Sequence, residues 1–266
     1  MAFEPKEVLP GVWHIQDVMG VCMTLLVGSE SALLVDAGYG FEDVAGCVRL
    51  LTGLPFRVLL THGHHDHAMG ARWFDRVLIL PEDLPVYETY TDDFWRKHVL
   101  AGARGNGLSV DESAYLSAPM ARPEPLSAEP MDLGGLTVRV LPCPGHTPGS
   151  AVLYVPERSL LLTGDNWNPL TWLFFPEAMP VQTYRRNMLD IRDLPFRHVL
   201  CSHRHQLFNR ELLDSFLTGL TDETLCLAPA SEEGLRFSLQ TACAHLPMDQ
   251  MLVFDKGKFE SNVKGA

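Results

Sequence analysis

Thr61-His62-Gly63-His64-His65-Asp66-His67 is the stretch on which the reading of this chain turns. His62, His64, Asp66 and His67 place four metal-ligand side chains within six positions, a density that packing alone does not call for. Imidazole nitrogens and carboxylate oxygens are good ligands for zinc and similar ions. The run follows the apolar stretch Arg57–Leu60, which reads as a short strand. If the extended backbone persists, His62 and His64 point to the same face. Asp66 and His67 come after one further residue, where the chain must be turning. A tight loop of this kind can aim one pair at one ion and the next pair at a second.

A catalytic zinc takes about three protein ligands and a water, so two ions need about six ligands, or about five and a bridging carboxylate. The run supplies part of that set, and the rest must come from distant segments. Three candidates each follow an expected strand: His146 in Pro142-Cys143-Pro144-Gly145-His146-Thr147, Asp165 in Thr163-Gly164-Asp165, and His203 in Cys201-Ser202-His203. His205 is the alternative to His203. His14, His98, His198 and His245 stand singly and read as surface or packing residues.

Working outward, Val12–Gln16, Cys22–Val27 and Ala32–Val35 read as strands, the last ending at Asp36-Ala37-Gly38. Val44, Val48 and Leu51 recur at helical spacing, with Glu42 and Asp43 at the end where a carboxylate suits the helix dipole. Val77–Leu80 reads as another strand. From about 81 to 130 the pattern weakens: Tyr87, Tyr90, Phe94 and Trp95 suggest an aromatic-rich helix, Gly102 to Gly107 breaks it, and prolines punctuate the remainder. We read this part as a variable insertion or lid within a single domain spanning 1–266. Strands are expected again at Leu136–Leu141, Ala151–Val155, Ser159–Thr163, Val199–Cys201, Leu235–Leu239 and Met251–Phe254, and helices at Val181–Asp193 and Asn209–Leu220. Alternating strands and helices indicate layered α/β packing.

The bulk properties exclude some classes. A net charge of −12 counts against a nucleic-acid partner, because such binding needs basic patches. No apolar run approaches the ~18 residues of a membrane span, and the N-terminal residues lack a signal-peptide pattern. A cytoplasmic protein with a small-molecule substrate is expected. The six cysteines are scattered without a C-x-x-C pair, which suits reduced, mostly buried thiols. A homodimer is compatible with the sequence.

Together, Asp36, His62-Gly63-His64-His65-Asp66-His67, Pro144-Gly145-His146-Thr147-Pro148-Gly149-Ser150, Gly164-Asp165 and His203 resemble the motifs of the metallo-β-lactamase superfamily, in their usual order. The resemblance runs from about residue 10 to 210 and is specific for fold and metal site, much less so for substrate. It implies an αββα four-layer sandwich with the metals at one edge of the sheets. It also implies that His62, His64 and His146 hold one ion and Asp66, His67 and His203 the other, with Asp165 bridging. A bridging aspartate resembles the glyoxalase-II-like hydrolase branch; β-lactamases of this superfamily usually carry cysteine there. Asp36 would support the metal-binding loop. One departure is Ser202, which stands where the superfamily normally has glycine before its last ligand.

Such a site implies two divalent ions, zinc first with iron or manganese as alternatives, that lower the pKa of a water and so give hydroxide near neutral pH. The expected reaction is cleavage of a small ester, thioester or lactone. Asp66 is the candidate proton acceptor, although a ligating carboxylate is a poor base. Phosphodiester hydrolysis, an iron-dependent sulfur dioxygenase and a non-enzymatic metal-bearing sensor are the competing readings. The aromatic stretch Asn166–Phe175 after Asp165, with Trp167, Trp172 and Phe174, is the expected substrate wall if it does not simply pack the core. In that case an apolar substrate group is expected.

Overall fold

A computed structural model describes residues 3–127, 129–233 and 240–259. The strand expected at Leu235–Leu239 lies outside the described residues. The first sheet has seven strands in sequence order: β1 (Glu4–Leu9), β2 (Val12–Gln16), β3 (Cys22–Val27), β4 (Ala32–Val35), β5 (Phe56–Leu59), β6 (Arg76–Ile79) and β7 (Arg122–Pro125). The second runs β14 (Phe208–Asn209), β13 (His198–Leu200), β11 (Leu160–Leu162), β10 (Ala151–Val155), β9 (Thr137–Pro142), β8 (Met131–Asp132). Leu26, Leu33 and Leu59 from the first sheet meet Val138, Leu153 and Leu162 from the second in one buried cluster.

Both sheets are covered on their outer faces. Leu25, Leu34 and Val58 pack against Val44 and Val48 of α1 (Val44–Leu51) and Ala68 of α2 (His65–Ala68). Val152, Tyr154 and Val199 pack against α6 (Val181–Arg192) and α7 (Arg210–Gly219) through Tyr184, Met188, Leu213 and Phe216. Strands buried on two faces read as continuous apolar runs, which is why Ala-Leu-Leu-Val and Ala-Val-Leu-Tyr-Val stand out in the sequence. Helix, sheet, sheet and helix make the four layers that the resemblance implies.

A third sheet was not foreseen. It has the order β12 (Leu170–Leu173), β17 (Gln250–Asp255), β16 (Thr241–Leu246), β15 (Ala230–Ser231), and its Ala242, Leu252 and Phe254 extend the outer core of the second sheet. Part of the expected aromatic loop is therefore a strand. The 81–130 segment holds α3 (Leu84–Tyr90), α4 (Asp93–Gly105) and α5 (Glu112–Ser117), and then β7. The one aromatic helix expected there is two, because Asp92 caps α4 by accepting from Trp95 N at 2.9 Å and so starts a new helix. β7 tolerates Pro123 and Pro125 as the edge strand of its sheet. No described helix is long and apolar enough to cross a membrane.

Strands β4, β5 and β6 are parallel, as are β11 and β13. The loops leaving the C-terminal ends of β4, β5, β11 and β13 carry Asp36, the histidine run, Asp165 and His203. Backbone bonds stitch the two sheets together at that edge, from Ala151 N to Thr61 O (2.8 Å) and from Cys22 N to Ser202 O (2.7 Å).

Candidate metal centre

His62, His64 and His146 are buried, and their rings converge. His64 Nδ1 lies 3.1 Å from His62 Nε2 and 2.9 Å from His146 Nε2. The opposite nitrogen of each ring is already engaged. His62 Nδ1 meets Thr61 Oγ1 at 3.1 Å, His146 Nδ1 donates to the Trp172 carbonyl at 2.7 Å, and His64 Nε2 bonds the Glu177 carboxylate. Rings that keep their protons on the outer side present three lone pairs to one point, which is a ligand set for a cation. Burial and the neighbouring imidazoles oppose protonation here: His62 is held well below its ordinary pKa, and His146 falls to about 4.

Asp66, His67, Asp165 and His203 form a second cluster. Asp66 Oδ2 is 3.6 Å from both His67 Nε2 and His203 Nε2. Asp165 Oδ1 is 3.4 Å from His67 Nε2, and its Oδ2 is 3.0 Å from His203 Nε2 and 3.6 Å from His146 Nε2 in the first cluster. Asp165 therefore lies between the two. His67 Nε2 and Asp165 Oδ1 are buried and have no hydrogen-bond partner. Orphaned polar atoms of that kind are costly unless something binds them, and a divalent ion fits this donor set. Burial alone would push both carboxyls up, but the facing imidazoles hold Asp66 and Asp165 well below the usual carboxylate range.

Asp36 anchors this geometry. Its carboxylate accepts from Thr61 N (2.7 Å), Thr61 Oγ1 (2.9 and 3.0 Å), His67 Nδ1 (2.9 Å) and Ser202 Oγ (3.4 Å). It thus orients His67 directly and His62 through Thr61. Its φ of 64° is left-handed, a conformation that aspartate and asparagine tolerate better than most residues.

Asp83 was missed from the sequence. Fully buried in the short turn Pro81–Asp83, it accepts from Gly63 N at 2.6 Å and Gly149 N at 2.8 Å, fastening the histidine run to the loop of His146. In sequence it is only an acid after a proline. Asp83→Asn leaves one of those N–H groups facing an amide N–H, so a loss of about 1–3 kcal/mol is expected. Urea denaturation of the metal-free protein measures it, and unchanged stability would show that the carboxylate is not a latch.

At the last ligand position it is His203 that reaches the cluster. His205 Nε2 instead donates to the carbonyl of His14 at 2.9 Å. The His14 ring, fully buried, meets Thr24 Oγ1 at 3.1 Å and donates from Nε2 to the Arg204 carbonyl at 3.0 Å, tying the His203 loop to the first sheet. Burial lowers the His14 pKa from 6.5 to about 4. Above pH 6.5 the ring is neutral whether folded or unfolded; between 6.5 and about 4 only the unfolded chain takes up the proton. Stability is therefore lost as pH falls through that window, by on the order of 3 kcal/mol. Chelated His14→Gln protein should lack this component, so the stability gap between wild type and variant should shrink from pH 7 to pH 4. A gap independent of pH would refute the assignment.

Aromatic rings flank the centre. Trp167, grouped with the expected substrate wall, is instead a core residue: it is fully buried, 5.5 Å from the Phe208 ring, and donates to Gln250 Oε1 at 3.1 Å. Phe174 is also buried, while Trp172 is 38% exposed. Of the Asn166–Phe175 stretch it is Phe175 that packs on the cluster, with its ring 4.9 Å from His64 and 5.5 Å from His146. On the other side Tyr90 lies 4.5 Å from His64 and stacks on Trp95, which is 5.1 Å from His65. A groove of about 890 Å³ at the N-terminal ends of β5 and β6, lined by Phe56, Trp73 and Phe74, contains none of the ligand candidates.

The family model of the metallo-beta-lactamase superfamily matches residues 17–203. A Streptococcus pyogenes protein named "Probable metallo-hydrolase" is 26% identical over 151 residues, covering 57% of this chain and 63% of its own length. An acyl-coenzyme A thioesterase of Gallus gallus is 24% identical over 216 residues, 73% of this chain and 70% of that one. Among solved structures, a protein crystallised in a di-iron-bound form superposes with a TM-score of 0.55 and 26% identity over 79% of this chain and 96% of that one.

Proposed function

Since the chain belongs to the metallo-beta-lactamase superfamily, we propose that it is a hydrolase using two divalent ions to cleave a small ester, thioester or lactone. The carrying observation is the Asp165 carboxylate between the two clusters, with its buried Oδ1 and the Nε2 of His67 lacking any other partner. His62, His64 and His146 would hold one ion, Asp66, His67 and His203 the other, and Asp165 would bridge. Zinc is the first candidate; the di-iron relative supports iron as the alternative. Ions bound there would supply Lewis acidity and lower the pKa of a water.

The chain's own groups do the rest. Asp36 holds His67 and Thr61 in place. Asp66 turns Oδ2 into the cluster and leaves Oδ1 3.1 Å from His65 Nδ1. That nitrogen accepts from Asp66 N at 2.9 Å, so it carries a lone pair and can hold a proton taken up at Oδ1. Rings of Tyr90, Trp95, Phe175 and Trp172 favour an apolar acyl group, with the 81–130 segment supplying the first two as a lid. Glu177 beside His64 and the net charge of −12 weigh against a phosphodiester. The thioesterase relative is consistent with an acyl substrate.

The test is turnover by metal-analysed protein loaded with zinc, manganese or iron on an ester, thioester and lactone panel. Activity that disappears on chelation is expected, and silence across the panel would sink the proposal. Turnover that persists without dioxygen separates it from an iron-dependent dioxygenase. Trp172→Ala should raise KM several-fold with bound metal unchanged, because only the carbonyl of Trp172 touches His146. Metal loss would instead mark that side chain as structural.

A further inference from the structure

The superfamily match ends at residue 203, yet the chain beyond it reaches back to the first cluster. β17 pairs in parallel with β12, Trp172 against Val253 and Leu173 against Phe254. That pairing sets the Trp172 carbonyl to which His146 Nδ1 donates. Directly after β17, the turn Lys256–Lys258 brings Lys258 Nζ to the carbonyls of Phe175 (3.2 Å), Pro176 (2.6 Å) and Ala178 (2.7 Å). An ammonium has three protons to donate, and here they close a loop around Glu177. The Glu177 carboxylate in turn bonds His64 Nε2. His64 and His146, two members of the first cluster, are thus aimed by groups that the C-terminal segment holds.

We propose that the segment beyond residue 203 is the outer support of the first metal site, with Lys258 a positioning residue that fixes His64 through Glu177. The proposal rests on reading His62, His64 and His146 as that site. Hydrogen bonds to the outer nitrogen of a ligating imidazole set its tautomer and direction, and their loss lowers metal affinity by about 10- to 100-fold. Lys258 touches no ligand itself, so a brace that served only the fold would destabilise the chain without choosing between the two sites.

The experiment is a cobalt(II) titration of the full chain against a competing chelator, read by visible absorption, for wild type, Lys258→Met, Lys258→Arg and Glu177→Ala. Lys258→Met should weaken one of two cobalt sites by about 10- to 100-fold and alter its d–d band, leaving the other site as in wild type. Lys258→Arg, which still donates to carbonyls, should restore the weakened site, and Glu177→Ala should reproduce the Met pattern. Two unchanged sites in Lys258→Met, or equal weakening of both with a lower metal-free melting temperature, would overturn the proposal and leave the hydrolase reading intact. A wild-type chain that binds no cobalt would overturn both.

Discussion

Asp36→Ala is expected to strip the protein of metal and to destabilise the metal-free chain by roughly 3 kcal/mol or more, the sum of several buried donors left without an acceptor. The donors are Thr61 N, Thr61 Oγ1 and His67 Nδ1, all in buried residues. Without Asp36 the His67 ring has no partner to hold its proton on the outer side, so Nε2 is no longer reserved for a metal. His62 loses the same guidance through Thr61. Both clusters are affected because one carboxylate serves a candidate ligand in each. Asp36→Asn separates the contributions. Asparagine accepts the left-handed φ of 64°, so the backbone is spared. Its amide must nevertheless turn N–H toward Thr61 or His67, so it should show about half the stability loss and still a clear metal deficit. Bound metal per chain and urea denaturation under chelation measure the two effects. An alanine variant that kept the wild-type metal content and midpoint would show that Asp36 does not organise the centre.

The difference between what could and could not be read from sequence is itself physical. Every candidate ligand follows a short apolar strand, so strand-ending loops rich in histidine and aspartate could be recognised locally, and those residues do lie together. β1 leaves no mark in the sequence because Glu-Pro-Lys-Glu gives an exposed edge strand no apolar signature. β12 reads as a loop in the sequence because its partner β17 lies far along the chain, Leu170 facing Met251. Trp167 and Phe175 differ only in where the backbone sends them, one into the core and the other against His64. Asp83, Glu177 and Lys258 act on groups brought near by folding, and no spacing in the sequence marks such a contact.

Gly63→Ala, one methyl added inside the histidine run, should do even more damage than Asp83→Asn at the same junction. A Cβ there would lie 2.3 Å from Tyr87 N, 2.8 Å from Tyr87 Cα and 2.8 Å from the carbonyl carbon of Val86. These are backbone atoms of α3, which cannot swing aside as a side chain tip can. Either α3 withdraws or the run shifts, and both break the Gly63 N bond to Asp83. Withdrawal also pulls Tyr90 off His64, while a shift moves His62 and His64, which flank the glycine. The cost should reach or exceed the roughly 1–3 kcal/mol usual for overpacking, with loss of bound metal. Gly102→Ala is the control: it is an exposed position in α4 with nothing within 4 Å of the added atom. There alanine should stabilise by about 0.5–1 kcal/mol through helix propensity. In Gly102→Ala the melting temperature should therefore rise slightly with metal content unchanged, whereas both should fall together in Gly63→Ala. If the two variants behaved alike, close packing of α3 on the ligand run would not be what fixes the spacing of His62 and His64.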